Sequence, residues 1–183
     1  MSIRCSVFIA SSLDGFIARS DGALDWLTDN GIDQDGDYGF VDFLASVDGL
    51  IMGRVTFETV LAFDLAQWPY GDRPMWILSS DPNRVAVPQH LRSLVTVTDQ
   101  PPAELVRAIS DKGLTHIYVD GGRTIQSFLS ADLIDTLTIT TLPVLIGGGA
   151  RLFGELKSDR WWQHSATSAG SDGYVTTTYQ RAR

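Results

Sequence analysis

The sequence predicts an α/β fold with a mostly parallel central sheet and an antiparallel hairpin at its C-terminal edge. Through most of the chain, short apolar runs alternate with segments of helical spacing, which is typical of a parallel sheet covered by helices. The last two runs, 161–168 and 174–181, instead flank the turn residues Gly170–Gly173, a pattern that indicates a hairpin. The 183 residues are expected to form one domain, 1–183.

Each predicted element follows from its local pattern. The strands are apolar and often β-branched, and they are expected at residues 4–10, 50–52, 75–78, 94–97, 116–119 and 134–142. The helices have apolar residues three and four apart, and they are expected from near 37 to before 49, over 55–63, over 101–112 and after the turn 120–124. Pro101 and Glu104 mark a helix start, since proline suits the first turn and a carboxylate complements the helix dipole.

The charge balance narrows the classes of function. The formal net charge is −8 and the 14 Lys and Arg residues are scattered without a basic patch, so nucleic-acid binding is not expected. The single cysteine, Cys5, rules out an intramolecular disulfide and suits a reducing compartment. Without a long apolar run or a signal-peptide pattern, we expect no membrane span and a cytoplasmic protein. The three histidines lack metal-ligand spacing, so no metal is expected.

Three turns at predicted strand ends carry the residue types of a phosphate site. The first contains Gly53, Arg54 and Thr56, the second is Ser79–Ser80, and the third is Asp120–Thr124. Helix-start N–H groups, an Arg and hydroxyl groups together bind phosphate, and open α/β sheets bind ligands at this edge. Each turn could equally be ordinary strand-to-helix or Ser–Asp–Pro turn chemistry.

Two common nucleotide motifs are excluded. The run Gly147–Leu152 has leucine where a dinucleotide-binding loop needs its third glycine. The run Gly149–Glu155 has P-loop glycine spacing but a glutamate where the phosphate-binding lysine must stand, and a carboxylate there would repel phosphate.

On these residues the chain resembles the dihydrofolate reductase superfamily. Segments 51–58, 77–80 and 120–129 are similar, in this order, to its strand–helix cofactor motif, its adenosine-phosphate segment and its glycine turn with the following helix. The opening segment 10–18 fits as well. Segment 143–153 is more similar to the reductase domains of riboflavin biosynthesis and their stand-alone relatives than to true folate reductases. The resemblance covers nearly the whole chain and implies the three-layer fold of the superfamily.

The resemblance implies NADPH as the hydride donor. The residues that it places at the cofactor are Arg54, Ser79 and Ser80 near the adenosine and its 2′-phosphate, Gly53, Thr56, Gly121, Gly122, Arg123 and Thr124 at the pyrophosphate, and Ala10 and Ile17 near the nicotinamide. The protein groups are then expected to position the cofactor and exclude water, because the hydride chemistry belongs to NADPH.

A carboxylate is expected on the substrate side. The catalytic acid of folate reductases lies at the start of the second helix, and counting back from the Gly–Arg turn by the family spacing (53 − 37 = 16) gives Asp37. The resemblance implies that Asp37 binds an amino-pyrimidine ring and favours its protonation. It also implies substrate contacts at Asp14, Trp26, Phe40 and Val41. Asp37 could equally cap the helix that follows it.

The expected function is NADPH-dependent reduction of a small heterocyclic substrate, pteridine- or folate-like, at a C=N bond. One alternative is a 5-amino-6-(5-phosphoribosylamino)uracil reductase of riboflavin biosynthesis. Another is a binding protein without catalysis, in which side chains such as Arg54 or Trp68 would block the cofactor groove. A homodimer is also expected, because relatives pair through sheet edges and the apolar Trp161–Trp162 pair needs cover, although that pair could equally pack in the core.

Overall fold

Strand pairing organises the computed structural model, which describes residues 3–28, 37–63 and 68–182. In chain order its strands are β1 (Arg4–Ser12), β2 (Phe16–Ala18), β3 (Gly49–Gly53), β4 (Met75–Leu78), β5 (Val95–Thr98), β6 (His116–Asp120), β7 (Thr136–Leu142), β8 (Ala150–Arg151), β9 (Trp162–Ala169) and β10 (Val175–Arg181). Its helices are α1 (Asp25–Thr28), α2 (Phe40–Ala45), α3 (Arg54–Ala62), α4 (Pro102–Asp111) and α5 (Gly122–Ser130).

Eight of these strands form one sheet in the order β5-β4-β3-β6-β1-β7-β10-β9. The first six are parallel to one another, and β10 and β9 are antiparallel at the end of the sheet. The predicted α/β fold with an antiparallel edge hairpin is therefore confirmed. All six parallel strands end at the same edge of the sheet, which is where such folds bind ligands.

The small sheet of β2 and β8 was not expected from the sequence. Phe16 and Ala18 pair with Arg151 and Ala150, respectively. Gly149 makes this pairing possible, because a Cβ at that position would lie 2.0 Å from the carbonyl oxygen of Ala18. Two residues are too few to show a strand pattern, so only tertiary contact defines β8.

The central strands bury both of their faces, as the near-continuous apolar runs predict. Ile51 of β3 packs into the core on one face, with α4 and α5, whereas its neighbours Leu50 and Met52 pack into the core on the other face, with Phe57 of α3. This alternation is the period of two that a strand imposes on its side chains. No helix in the described part of the chain is long and apolar enough to cross a membrane.

Helix α2 begins later than the pattern predicts. The Asp37 carboxylate accepts the N–H groups of Gly39 and Val41. Gly39 lies in the left-handed region (φ 89°), so the chain turns there and the helix begins at Phe40. Helix α2 contains no fully buried residue; its inner face is half-buried Phe40 and Phe43, which lie against Phe8 of β1 at 5.5 and 5.0 Å between ring centroids.

The hairpin edge is the least covered part of the sheet. Every residue of β9 after Trp162 is exposed, and Trp161 just before it is 77% exposed. Trp162 is half-buried against the core on the α5 side. The tryptophan pair is therefore divided, with one ring in core contact and the other at the surface.

Candidate functional site

One cleft of about 1690 Å³ runs along the carboxyl ends of the parallel strands. Its floor includes Leu78, Gly53, Asp120 and Leu142, which lie at or next to the ends of β4, β3, β6 and β7. Helices α2 and α3 border it on one face of the sheet, and β2, β8 and the start of α5 border it on the other. This size and position are typical of a site for a dinucleotide together with a small substrate.

The two helix starts in the floor of the cleft interlock. A Cβ at Gly121 would lie 2.2 Å from the Thr56 hydroxyl oxygen, and a Cβ at Gly53 would lie 3.0 Å from the Thr124 hydroxyl oxygen. Each glycine therefore faces the threonine three residues beyond the other glycine. Gly121 also has φ 87°, which disfavours any side chain.

Helices α3 and α5 consequently begin side by side at the cleft. Their first-turn N–H groups carry partial positive charge and have no partner within the helix. Two adjacent helix starts, two glycines without side chains and two threonine hydroxyls make a cradle that fits a pyrophosphate. The spacing Gly-x-x-Thr occurs at both turns, from Gly53 to Thr56 and from Gly121 to Thr124.

Gly122 serves packing as well as ligand access. A Cβ there would lie 2.9 Å from Ile17 Cδ1 and 3.1 Å from the carbonyl oxygen of Arg151. Strands β2 and β8 can therefore approach the start of α5 closely. Arg151 in turn lies 4.6 Å above the ring of Phe16.

Arg54 reaches the cleft but is already paired. Its Nη1 donates to both carboxylate oxygens of Glu58, at 2.9 and 2.7 Å, one turn further along α3. Ser79 is similarly engaged, since its hydroxyl donates to the Asp81 carbonyl (2.8 Å) and accepts the Asp81 N–H (3.2 Å). A phosphate at this end would compete with these local partners.

The structure brings all the predicted cofactor residues to the wall of this cleft. They are Ala10, Ile17, Gly53, Arg54, Thr56, Ser79, Ser80, Gly121, Gly122, Arg123 and Thr124. Trp68, a possible obstruction of the groove, packs against Phe57 and Tyr70 instead, with ring centroids 6.0 and 5.4 Å away. It does not line the cleft.

The predicted substrate residues are divided. Asp37 and Phe40 line the cleft, whereas Asp14, Trp26 and Val41 do not. Trp26 is buried against Leu142 and Tyr174. Val41 is 65% exposed, because it lies on the outer side of α2. In this structure these three residues lie outside the lining of the cleft, whereas the resemblance implied that they contact substrate.

Asp14 has a structural role in this geometry. Its carboxylate accepts the hydroxyl of Ser12 (2.6 Å) and the N–H groups of Gly147 (2.8 Å) and Ile146 (3.3 Å). These bonds lower the pKa of Asp14, the Ser12 hydroxyl contributing most. Asp14 therefore fastens the glycine-rich loop before β8 to the end of β1.

Asp37 is an exposed carboxylate that lies three residues before the start of α2. The N–H groups of Val41 and Gly39 donate to it and lower its pKa. An ionised carboxylate that is held in this way accepts hydrogen bonds well and donates a proton poorly. Both uses considered from the sequence, helix cap and cleft carboxylate, are compatible with this position.

Asp120 is the titratable group that sequence reasoning missed. It lies in the cleft at the end of β6, and burial raises its pKa to about 6, an effect partly offset by the hydrogen bond that the Gly121 N–H donates (2.7 Å) and by the neighbouring Tyr118 hydroxyl, which itself donates to the Phe8 carbonyl oxygen (2.9 Å). Burial and the Asp120 charge likewise raise the pKa of Tyr70 and Tyr118, which also line the cleft. The sequence signal for Asp120 was its position directly before the glycine turn. The burial of its side chain, which raises the pKa, could not be predicted from the sequence.

Aromatic rings form the remaining boundary of the cleft. Tyr38 stacks on Tyr174 at 5.4 Å between centroids, and its hydroxyl donates to Asp172 in the turn between β9 and β10. Phe40 and Phe8 add apolar surface. Among the residues that the structure describes, no three His, Cys, Asp or Glu side chains are grouped to hold a metal ion.

The fold and the site together define a reductase-type α/β protein. The RibD C-terminal domain family matches residues 5–176, so the chain belongs to that family. The resemblance deduced from the motifs is thereby confirmed.

Two similar proteins and one protein that shares the fold can be compared with this chain. A candidate riboflavin biosynthesis protein from Shewanella sp. PV-4 is 41% identical, with a TM-score of 0.90, and the match covers 99% of this chain and 100% of that one. The uncharacterized protein YwjB of Bacillus subtilis (strain 168) is 33% identical over 160 residues, 87% of each chain. Dihydrofolate reductase from Enterococcus faecalis, complexed with NADP(H) and RAB-propyl, has a TM-score of 0.68 at 21% identity, covering 98% of this chain and 97% of that one, and it shares the fold.

Proposed function

We propose that the protein is a cytoplasmic, NADPH-dependent reductase of a small heterocyclic, pteridine-like substrate. The observation that carries the proposal is the pair of adjacent helix starts at Gly53 and Gly121, which suits the two linked phosphates of a dinucleotide. The same cleft also contains two carboxyl groups, Asp37 and Asp120, that can act on a substrate. The NADP(H) complex of the enterococcal dihydrofolate reductase, which has the same fold, supports the choice of cofactor.

The bound cofactor would supply hydride to the carbon of a polarised C=N bond. Asp120 is the proposed source of the proton for the nitrogen, because a carboxyl group with a pKa of about 6 is partly protonated near neutral pH and releases its proton readily. Solvent then returns a proton to the Asp120 carboxylate. Asp37, which stays ionised, is proposed to accept ring N–H groups and hold the substrate in place.

NADPH binding and turnover test this function. NADPH at millimolar concentration is expected to raise the melting temperature, and more than NADH does. Loss of NADPH absorbance is expected with pteridine-type substrates. No thermal shift with either nucleotide would contradict the proposal, and would instead favour a binding protein that has kept only the scaffold.

The roles of the two carboxyl groups are separable. Asp120→Asn is expected to lower kcat by about 10²–10⁴-fold, because the amide cannot transfer a proton. Asp37→Asn is expected to act mainly on KM. A fall in kcat for Asp37→Asn alone, with Asp120→Asn fully active, would reverse the assignment.

Reduction of a phosphoribosylamino-pyrimidine is the second candidate function. Family membership and the Shewanella relative favour it. Direct comparison of the pyrimidine phosphate with a dihydropterin, by NADPH absorbance, distinguishes the two.

We also propose that two copies pair through β9. Its residues Gln163–Ala169 carry no formal charge with His164 neutral, and all are exposed at the open edge of the sheet, which is a template for another strand. Light scattering of the wild-type protein is expected to give twice the mass of one chain. The Ala166→Lys variant is expected to give the mass of a single chain. A monomeric wild-type protein at micromolar concentration would refute pairing.

A further inference from the structure

The two walls of the cleft differ in charge. The wall formed by α2 and α3 presents Asp37, Phe40, Thr59, Val60 and Phe63. The wall formed by β2, β8 and the start of α5 presents Ile17, Arg19, Gly122, Arg123 and Arg151. The walls lie on opposite faces of the sheet, because α3 packs into one core and α5 into the other. The described part of the α2–α3 wall therefore has one carboxylate, Arg54 and apolar surface, whereas three arginines and the carboxylate of Asp21 lie on the facing wall.

Basic residues are also absent from the sequence on both sides of Arg54. Between Arg19 and Arg54 it contains eight Asp and no Lys, Arg or His. From Val55 to Asp72 it again has no basic residue. Residues 29–36 and 64–67 therefore add no cation to the α2–α3 side, wherever they lie.

Arg54, at the start of α3, does not change the balance. Its guanidinium is held by Glu58 at 2.7 Å, so the pair contributes little net charge. On the facing wall Arg19 is paired in the same way with Asp25 at 2.6 Å. Arg123 and Arg151 lie at the glycine turn and β8, next to the helix starts that suit the cofactor phosphates.

Asp120 adds a second carboxyl group at the floor of the cleft. An anionic group on the substrate would meet Asp37 and Asp120, and the described part of the α2–α3 wall has only Arg54, already paired with Glu58, to offset their repulsion. A neutral or protonated ring would instead find carboxylate acceptors and the apolar surfaces of Phe8 and Phe40. The charge pattern therefore acts as a filter on the substrate.

We propose that the substrate half of the cleft selects a flat heterocycle that is neutral or cationic and has neither a phosphate nor a carboxylate tail. This inference rests on the proposed reductase function and narrows it. It disfavours both a phosphoribosylated pyrimidine and a folate with its glutamate, and it favours an unconjugated pterin-like ring.

A matched ligand pair tests the filter without requiring turnover. The probes are 2,4-diamino-6-methylpteridine and 2,4-diaminopteridine-6-carboxylate, whose binding to the NADPH-saturated protein is followed by tryptophan fluorescence. The methyl compound is expected to bind about tenfold or more tightly, and the difference is expected to shrink at high salt. Equal affinities, tighter binding of the carboxylate, or no binding of the methyl compound would overturn the inference.

A second test of the filter adds a positive charge to the α2–α3 wall. Thr59→Arg places a guanidinium on the α2–α3 wall, and it is expected to tighten binding of the carboxylate by about tenfold. Val41→Arg is the matched control, because it adds the same charge to the outer side of α2, away from the cleft, and is expected to leave both affinities unchanged. An equal gain in both variants would mean that overall charge, not the wall, sets the preference.

Turnover then separates the inference from the function on which it rests. With NADPH, 6-methyl-7,8-dihydropterin is expected to have a kcat/KM about tenfold or more above that of dihydrofolate, which has the same ring and an anionic tail. Efficient reduction of dihydrofolate or of the pyrimidine phosphate would refute the filter and leave the reductase function intact. Absence of NADPH binding and of all turnover would refute the reductase function, while the same ligand pair, titrated into the protein without nucleotide, would still test the filter.

Discussion

The glycine turns at the floor of the cleft and the α2 segment at its side differ in how tightly the surrounding structure specifies their backbone. Gly121 and Gly39 both have φ near +88°, yet a Cβ at Gly121 would lie 2.2 Å from Thr56 and a Cβ at Gly39 would meet nothing within 4 Å. Helix α2 has no fully buried residue, whereas α5 buries four of its nine. The proposed cofactor cradle is therefore tightly packed, because the two helix starts contact each other, whereas the backbone before α2 has open space around it.

The largest expected effect comes from breaking this contact. Gly121→Ala is expected to cost on the order of 3 kcal/mol of folding free energy and to abolish NADPH-dependent stabilisation, because the methyl group would collide with Thr56 in a backbone conformation that disfavours side chains. Urea denaturation with and without NADPH measures both.

Gly39→Ala is the matched control, with the same positive φ and open space around it, and about 1 kcal/mol is expected. Thr56→Ala combined with Gly121→Ala is expected to recover part of the loss. Equal costs at the two glycines would show that backbone conformation alone, and not the interlock, determines the effect.

The next largest effect is expected for Asp120→Asn, which should make the protein more stable and less active. Its folded pKa of about 6 lies above the ordinary 3.8, so the folded state holds this proton more tightly and stability falls as pH rises from about 4 through 6. Asp120→Asn keeps a neutral side chain, so it is expected to remove this fall and to gain on the order of 2–3 kcal/mol above pH 7 while losing turnover.

Thermal unfolding between pH 4 and 8 tests this prediction, with the exposed Asp42→Asn as the control for removing one negative charge. A wild-type protein whose stability does not decline across that interval, relative to Asp120→Asn, would mean that the carboxyl is not held protonated by its surroundings.

The smallest expected effect concerns the preference of the cofactor site for NADPH over NADH. Glu58→Gln releases Arg54 from its ion pair, so it is expected to increase the preference for NADPH over NADH by about two- to fivefold. Arg54→Gln is expected to reduce that preference. Isothermal titration with both nucleotides measures it, and an unchanged ratio in both variants would place the 2′-phosphate away from Arg54.

Prediction from the sequence was more accurate for the glycine turns at the floor of the cleft than for the substrate side of the cleft. The turns at Gly53 and Gly121 were recognisable because local chemistry repeats there: an apolar strand, a glycine, then a helix with a threonine. The cofactor residues named from the resemblance all reach one cleft, since strands that are parallel must end at one edge. Asp14 and Val41 do not reach it, because residue type and spacing do not say whether a side chain turns towards a loop or towards solvent.

The sequence by itself determined the order of strands and helices, the terminal hairpin, the family and the three turns, because each depends on a local pattern or on neighbours along the chain. The tertiary structure alone decided that Thr56 meets Gly121, that β8 pairs with β2, and that Asp120 is buried beside Tyr118. These features arise between segments distant in sequence, where packing, and not local pattern, sets distance, burial and therefore charge.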